Sequence, residues 1–486
     1  MLANFTPSAS DVLRFLPETI LITAGTLMMV LDPFLSASKP KFFGHLSILA
    51  FIAALFAAIA ANGDPGFAYS NLLVVDGFAT YFRILVITIG IFAVFSSYHY
   101  LDREKAETSE YHALLLFAVS GQCLMAASND LIMIFIGLEI SSIASYVLAG
   151  YLRHDKRNNE AALKYFLLGS FATGFLLYGV ALVYGLTGST KLNEVHTAIA
   201  APGISLVMVS VAAALMIIGL GFKVSGAPFQ MWAPDVYQGA PAPVSAFLAT
   251  APKAAAFAIF LRIFVTAFQP VASSWEPVLW VMALLSMTIG NFAALTQKNV
   301  KRMLGYSSIA HAGYILVAIT SRSEIGTTAA MFYLAAYALM NIGAFAVVIH
   351  MAGKGETNVQ IDDLAGLAKK QPLTAALLTV FILSLIGVPL TGGFFGKFYI
   401  FRAALESNLV WLAVLGLLNS AVAAYYYLRL LVVMYMHDPS EATEALEPLT
   451  PGLRVALVLP AIGTFILGIL PGFVLNFARD AAGIGK

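Results

Sequence analysis

The sequence predicts an all-α polytopic membrane protein of about fourteen transmembrane helices. They form two inverted five-helix repeats, with broken helices in spans seven and twelve. Three observations predict this. Sixty per cent of the 486 residues are hydrophobic and 11% are charged, whereas soluble domains carry about 25% charged residues. Apolar runs of about 20 residues, enough to cross the hydrocarbon core, recur along the whole chain. Basic residues concentrate in alternate connections. The same figures exclude other classes. Too little polar surface is left for a soluble globule or a disordered chain. The 27 basic residues are balanced by 26 acidic ones, which leaves no basic face for nucleic acid. The single cysteine, Cys123, excludes a disulfide framework, a Cys-ligated zinc site and an iron–sulfur cluster within the chain.

The spans run, in order, over 15–35, 42–61, 76–97, 111–128, 129–151, 161–186, 203–235, 242–268, 276–296, 303–320, 327–352, 372–405, 408–436 and 453–477. Membrane β-strands would alternate over about 10 residues, and these runs do not. The first lacks a charged n-region and a small-residue cleavage site, so it reads as a retained span, not a signal peptide. The third carries Arg83, seven residues after Asp76 on the same helix face. The fifth carries Glu139 in its middle. The seventh is too long and is interrupted at Gly226 and Pro228, just after Lys223. The eighth holds Lys253 near its centre and Arg262 toward its end; the tenth holds His311. The twelfth is again too long, interrupted at Pro389, Gly392 and Gly393, with Lys397 close behind. The thirteenth carries Arg429 near its end.

The chain divides accordingly into a three-helix segment (1–110), a first repeat of spans four to eight (111–268), a second of spans nine to thirteen (276–436) and a C-terminal helix (453–477). Interrupted helices at corresponding places in two halves point to a transport site. Tight helix packing alone also produces such kinks, and that reading stands for either break taken singly.

Odd-numbered connections hold fifteen lysines and arginines, among them Lys39, Arg153, Arg157, Lys301 and Arg302. Even-numbered ones hold Lys191, Arg322 and Arg402, and Lys486 lies at the terminus. The bias places odd connections in the cytoplasm and both termini outside. Trp275, Trp280 and Trp411 fall at outer ends, as an interfacial belt predicts.

A charge at the bilayer centre costs roughly 2.5–3.5 kcal/mol on insertion scales, so each one requires a reason. Arg262 and Arg429 are close enough to span ends to snorkel, and Arg83 can lean toward Asp76. Glu139, Lys223, Lys253 and His311 sit mid-span. Glu139 and Lys223 read either as a static ion pair or as a switch. Lys253 and Lys397 have no mid-span carboxylate nearby. Desolvation penalises the charged form of a buried amine, and a lysine so placed can take up and release a proton. The set Glu139, Lys223, Lys253, Lys397 and His311 therefore reads as a candidate proton relay, with a satisfied core histidine as the competing reading of His311.

The stretches GLEISSIASYVLAGY (137–151), KVSGAPFQMWAPDVYQGAPAPVSAFLATAPKAA (223–255), KRMLGYSSIAHAGY (301–314) and GVPLTGGFFGKFYIF (387–401) closely resemble the antiporter-like membrane subunits of respiratory complex I, the NADH-quinone oxidoreductases. Carried over residue by residue, the resemblance matches the family's span-five glutamate to Glu139. It matches the span-seven and span-eight lysines to Lys223 and Lys253, and the span-twelve ionisable residue to Lys397. The M type usually has glutamate at that last position. The L type carries a long C-terminal extension, whereas this chain ends soon after span fourteen; the N type is therefore expected.

The resemblance implies a proton translocase subunit of a bacterial inner-membrane complex. NADH, FMN, iron–sulfur clusters and a quinone would be used by other subunits, with no cofactor bound by this chain. Its partners would be other membrane subunits of complex I, including further antiporter-like ones, together with lipid, protons and internal water. GLGFKVSG (219–226) follows no strand and is no dinucleotide fingerprint. A related multisubunit cation/proton antiporter is the competing transport reading, and a structural scaffold is the non-transport one. Co-purification with flavin and iron–sulfur subunits separates the first two.

Overall fold

Capping residues and apolar runs together dictate where helices begin and how they pack. In a computed structural model residues 6–34, 41–106 and 108–483 are described; Lys39 and Lys486 lie outside the described residues. Side-chain caps open the long helices: Asp76 before Gly77–Glu104, Asp130 before Leu131–Ala149, Asp155 before Lys156–Thr187 and Asn299 before Val300–Thr320. Each accepts bonds from first-turn N–H groups that have no intrahelical partner.

Among the described residues, eleven helices are long and apolar enough to cross a membrane. Leu16–Leu31 is shorter, at 16 residues. Ser109–Ala127 is long but carries His112, Ser120 and Gln122. Pro372–Ile386 and Gly392–Glu406 have 15 residues each. A two-stranded antiparallel hairpin, Gly66–Ala68 with Leu73–Val75, is the one sheet among the described residues.

The centre of the bundle is formed by Ala242–Ala267, Val300–Thr320 and Glu324–Met351, whose most apolar stretches are 94%, 94% and 89% buried. Lys156–Thr187 and Val410–Met436 are 39% buried. They turn Phe171, Tyr178, Trp411 and Leu418 outward, an apolar wall that suits lipid. Small residues set the closest approaches. A Cβ on Gly121 would lie 2.6 Å from the Gly137 carbonyl, and one on Gly290 would lie 2.6 Å from the Ala310 nitrogen. Backbones this near require glycine.

The connections gather on two faces. On one, Arg157 donates to the Gly355 carbonyl and Gly355 N to Glu104. Asn299 bridges to Gln360, and Gln371 donates to the Glu447 carbonyl. On the other, Asp130 bridges to Lys191, His196 bonds the Thr266 carbonyl, Arg322 pairs with Glu276, and Ser407 donates to the Ser321 carbonyl.

Four sequence expectations need correction. Trp275 is 1% exposed and donates to the Phe268 carbonyl at 2.9 Å, so it belongs to the core and not to a lipid-facing belt; its helix face turns inward. Arg83 does not lean on Asp76. It pairs with Glu18 at 2.7 Å, both fully buried. Asp76 instead holds Arg262 through two bonds, 2.7 and 3.1 Å, and Arg262 also donates to the Ala126 carbonyl. Arg262 is thus anchored, not snorkelling. Lys301, read as a loop charge, is buried within the first turns of Val300–Thr320, where Glu356 at 2.5 Å compensates it.

Candidate functional site

Each candidate residue lies where a helix ends, restarts or presents a polar face. On Leu131–Ala149, Glu139, Ser142 and Tyr146 are three and seven residues apart and share one face. Lys223 reaches that face from the last turn of Leu206–Val224, which stops because Ser225 adopts the left-handed conformation at φ 59°. Trp232, at the start of Trp232–Gly239, donates to the Phe222 carbonyl, which also accepts from Ser225 N at that helix end.

Lys223 Nζ donates to Ser142 Oγ at 2.6 Å and Tyr146 Oη at 3.1 Å, and lies 5.2 Å from the Tyr146 ring centroid. Glu139 Oε1 is buried without a hydrogen-bond partner. Among the described residues no ion pair joins it to Lys223, so the static pair is absent from this conformation.

Lys253 sits in the first turn of Ala251–Leu261, just after a break that the apolar run over 242–268 does not reveal. Ala242–Leu248 ends there, and Pro252 helps restart the next helix. Lys253 is 1% exposed. Its ammonium donates to the Ser308 carbonyl at 2.8 Å and to the Ser308 hydroxyl. Between Lys223 and Pro252 lies a cavity of ≈ 10 Å³ lined by Ser142, Ser145, Tyr165 and Trp232, about the room one water requires.

One turn beyond Ser308 is His311. Its Nδ1 lies 2.6 Å from Tyr333 Oη, and its Nε2 3.1 Å from Tyr427 Oη. His311 is therefore fully partnered within the core. Tyr427 also bonds Ser307. Tyr314, three residues on, places its ring 4.8 Å from the Lys397 ammonium.

Lys397 lies on Gly392–Glu406 and reaches back to the end of Pro372–Ile386. It donates to the Leu385 and Ile386 carbonyls at 3.0 and 2.8 Å and to Ser420 Oγ at 2.8 Å. Carbonyls at a helix C-terminus carry the negative end of its dipole and favour a cation. The close approach requires Gly393, where a Cβ would run into the Ser384 carbonyl. Neither Lys253 nor Lys397 has a carboxylate partner among the described residues.

The five residues thus form a row through the bundle: Glu139 and Lys223 at one end, Lys253 and His311 in the middle, and Lys397 at the other. Sequence reasoning missed the groups between them, Ser142, Tyr146, Ser308, Tyr314, Tyr333, Tyr427 and Ser420. The helical spacing of Glu139 to Ser142 and Tyr146, and of Ser308 to His311, was the available signal. No group of three His, Cys, Asp or Glu side chains suited to a metal occurs among the described residues.

Such a bundle has the fold of antiporter-like transmembrane proteins. The family model described as NADH:quinone oxidoreductase/Mrp antiporter, transmembrane, matches residues 128–423. A NADH-quinone oxidoreductase subunit N 1 from Solibacter usitatus (strain Ellin6076) is 66% identical over 472 residues, 97% of each chain. The chain belongs to the NADH-quinone oxidoreductase subunit N family. Among solved structures, a chain of respiratory complex I from Thermus thermophilus with bound aureothin is 36% identical, with a TM-score of 0.82 over 95% of this chain and 99% of that one. A chain of the Mrp complex from Dietzia sp. DQ12-45-1b shares the fold at 22% identity, with a TM-score of 0.83 over 98% of this chain and 97% of that one.

Proposed function

We propose that protons cross the membrane arm of NADH-quinone oxidoreductase within this chain, along Glu139, Lys223, Lys253, His311 and Lys397. The chain is a proton-translocating subunit of that complex, and its partners are the other membrane subunits. Electron transfer from NADH to quinone, with the cofactors that carry it, belongs to other subunits. The observation that carries the path is Lys253, a buried lysine that, among the described residues, bonds to Ser308 one turn from His311 and to no carboxylate. A buried amine without a counter-charge is suited to exchange its proton, whereas one locked in an ion pair is not.

The fourteen-span plan belongs to the same reading. Contacts between connections keep to parity: the odd ones, from Glu104 to Glu447, meet one another, and the even ones do likewise. One span more or fewer would break that pattern. The repeats 111–268 and 276–436 are supported by matching pairings. Ser109–Ala127 packs on Leu131–Ala149 through Gly121 and Gly137 as Ala272–Leu295 packs on Val300–Thr320 through Gly290 and Gly313. The segments 1–110 and 453–477 flank them. The interrupted span seven carries Lys223 in the last turn before its break, and in span twelve the Lys397 ammonium reaches the helix end at Ile386, as inverted-repeat transporters place their ion sites. The charge bias directs the odd face to the cytoplasm and the termini outward, in a bacterial inner membrane.

The test is made on the assembled complex in sealed vesicles. NADH-to-quinone turnover and proton transport are measured while Lys223, Lys253 and Lys397 are neutralised one at a time. Each variant should move fewer protons than wild type. Wild-type transport in all three would place the path in other subunits.

A further inference from the structure

A buried ion pair, Lys301 with Glu356, lies off this row, at the face where the odd connections gather. Glu356 follows Gly355 in the connection after Glu324–Met351 and adopts a left-handed φ of 52°. A non-glycine residue in that region is strained and persists only where its surroundings enforce it. Here they do: Arg157 bonds the Gly355 carbonyl, and Gly355 N donates to Glu104. The strained turn drives the Glu356 carboxylate inward. It accepts from Lys301 Nζ at 2.5 Å, Tyr100 Oη at 2.8 Å and Ala242 N at 2.6 Å.

Outside this carboxylate lies a polar cavity of ≈ 450 Å³ whose lining includes Glu356, Asp235, Lys164, Glu160 and Gln238. Inside it lies Lys301, 0% exposed. Lys301, Ser308 and His311 are seven and three residues apart on Val300–Thr320, so they follow one face. Two turns separate Lys301 from Ser308, about 10 Å of rise, and Ser308 is the partner of Lys253. Ala242, which Glu356 also holds, begins the helix that ends just before Lys253.

We propose that the Glu356–Lys301 pair is a proton-loading gate, filled from the ≈ 450 Å³ cavity and emptied toward Lys253 along the Lys301–Ser308 face. The proposal rests on the relay reading above. A proton from the cavity bonds to a Glu356 oxygen and dissolves the ion pair. The Lys301 ammonium, now without a counter-charge, releases a proton to Lys253, which has first passed its own proton onward along the row and stands as a neutral amine. The Glu356 proton then moves to the Lys301 amine, and the pair re-forms. One proton has passed inward and none is consumed. The rival role is a static clamp, for which buried ion pairs are as well suited as apolar residues of similar size.

The two roles part in the double variant Glu356→Gln/Lys301→Met, which leaves no unpaired buried charge. It is compared with Glu356→Gln and with Lys253→Met in the assembled complex, by subunit content, NADH-to-quinone turnover and proton transport in vesicles. A gate predicts that the double variant assembles and transports protons at least about tenfold more slowly, because a proton-transfer group is missing. A clamp predicts wild-type transport in the double variant, or failure to assemble, and either result overturns the gate. Loss of transport in Lys253→Met with wild-type transport in the double variant rejects the gate alone. Wild-type transport in Lys253→Met rejects the relay, and the gate with it.

Discussion

Lys253 donates to both oxygens of Ser308, the carbonyl at 2.8 Å and the hydroxyl beside it. Among the described residues the ammonium is thus held by neutral acceptors. Lys253→Met keeps the length and removes the titrating group. Assembly should be normal, and proton transport should fall by about tenfold or more, a barrier increase of at least ~1.4 kcal/mol. Lys253→Arg should also fail, because guanidinium does not give up its proton. Wild-type transport in both variants would remove Lys253 from the path.

Glu139 makes a sharper case. With no standing pair to Lys223, neutralising it removes no bond from the lysine, which keeps Ser142 and Tyr146. Glu139→Gln should therefore not lower stability, since it removes a charge from a buried oxygen with no hydrogen-bond partner, while lowering transport strongly. Glu139→Asp should keep part of the activity. A thermal-shift loss of about 3 kcal/mol or more would instead identify a permanent ion pair.

Lys397 should combine both effects. It satisfies the Leu385 and Ile386 carbonyls at the end of Pro372–Ile386. Lys397→Met should lower transport and also loosen that helix end, by up to about 2 kcal/mol in a buried setting. Ser420→Ala, which removes one of its three acceptors, should have a smaller effect on both. Hydrogen exchange of residues 383–387 in the complex reads the loosening, and unchanged exchange in Lys397→Met would show that the ammonium does not brace the helix.

The Arg83–Glu18 pair is predicted to be structural. Arg83→Leu leaves a buried carboxylate without its partner, at a cost of about 3–5 kcal/mol, so the subunit should be depleted from membranes. Adding Glu18→Leu should restore most of it. Immunoblots of membranes decide, and equal depletion in single and double variants would contradict the compensation.

Topology is open to cysteine labelling, since the native Cys123 is buried. A cysteine at Asp155 should react only from the cytoplasmic side, and one at Glu194 only from the outer side. Reversed labelling would invert every orientation inferred from the charge bias.

The helical membrane fold and its approximate limits were legible because apolar runs report a thickness, and because a mid-membrane charge is conspicuous against them. Partnerships were not legible. Arg83 had a plausible acidic neighbour in Asp76 and Arg262 a nearby span end, yet Glu18 comes from another helix and Asp76 turns to Arg262. Lys301 looked like a loop charge because its partner, Glu356, lies 55 residues on, in a strained turn. The break before Lys253 escaped notice because Thr250 and Pro252 sit inside an otherwise unbroken apolar run. Hydroxyl groups that join the row carry no charge and stand out only once their helix faces are known.

The ≈ 10 Å³ cavity between Lys223 and Pro252 has a consequence for selectivity. A sodium ion entering it would have to shed its hydration shell, and its lining of Ser142, Ser145, Tyr165 and an ammonium offers no ring of carbonyls to replace that shell. A proton needs no such shell, since it passes by exchange along a single bridging molecule. On the proposed path, the cavity beside Lys223 has room for one water and none for a hydrated cation.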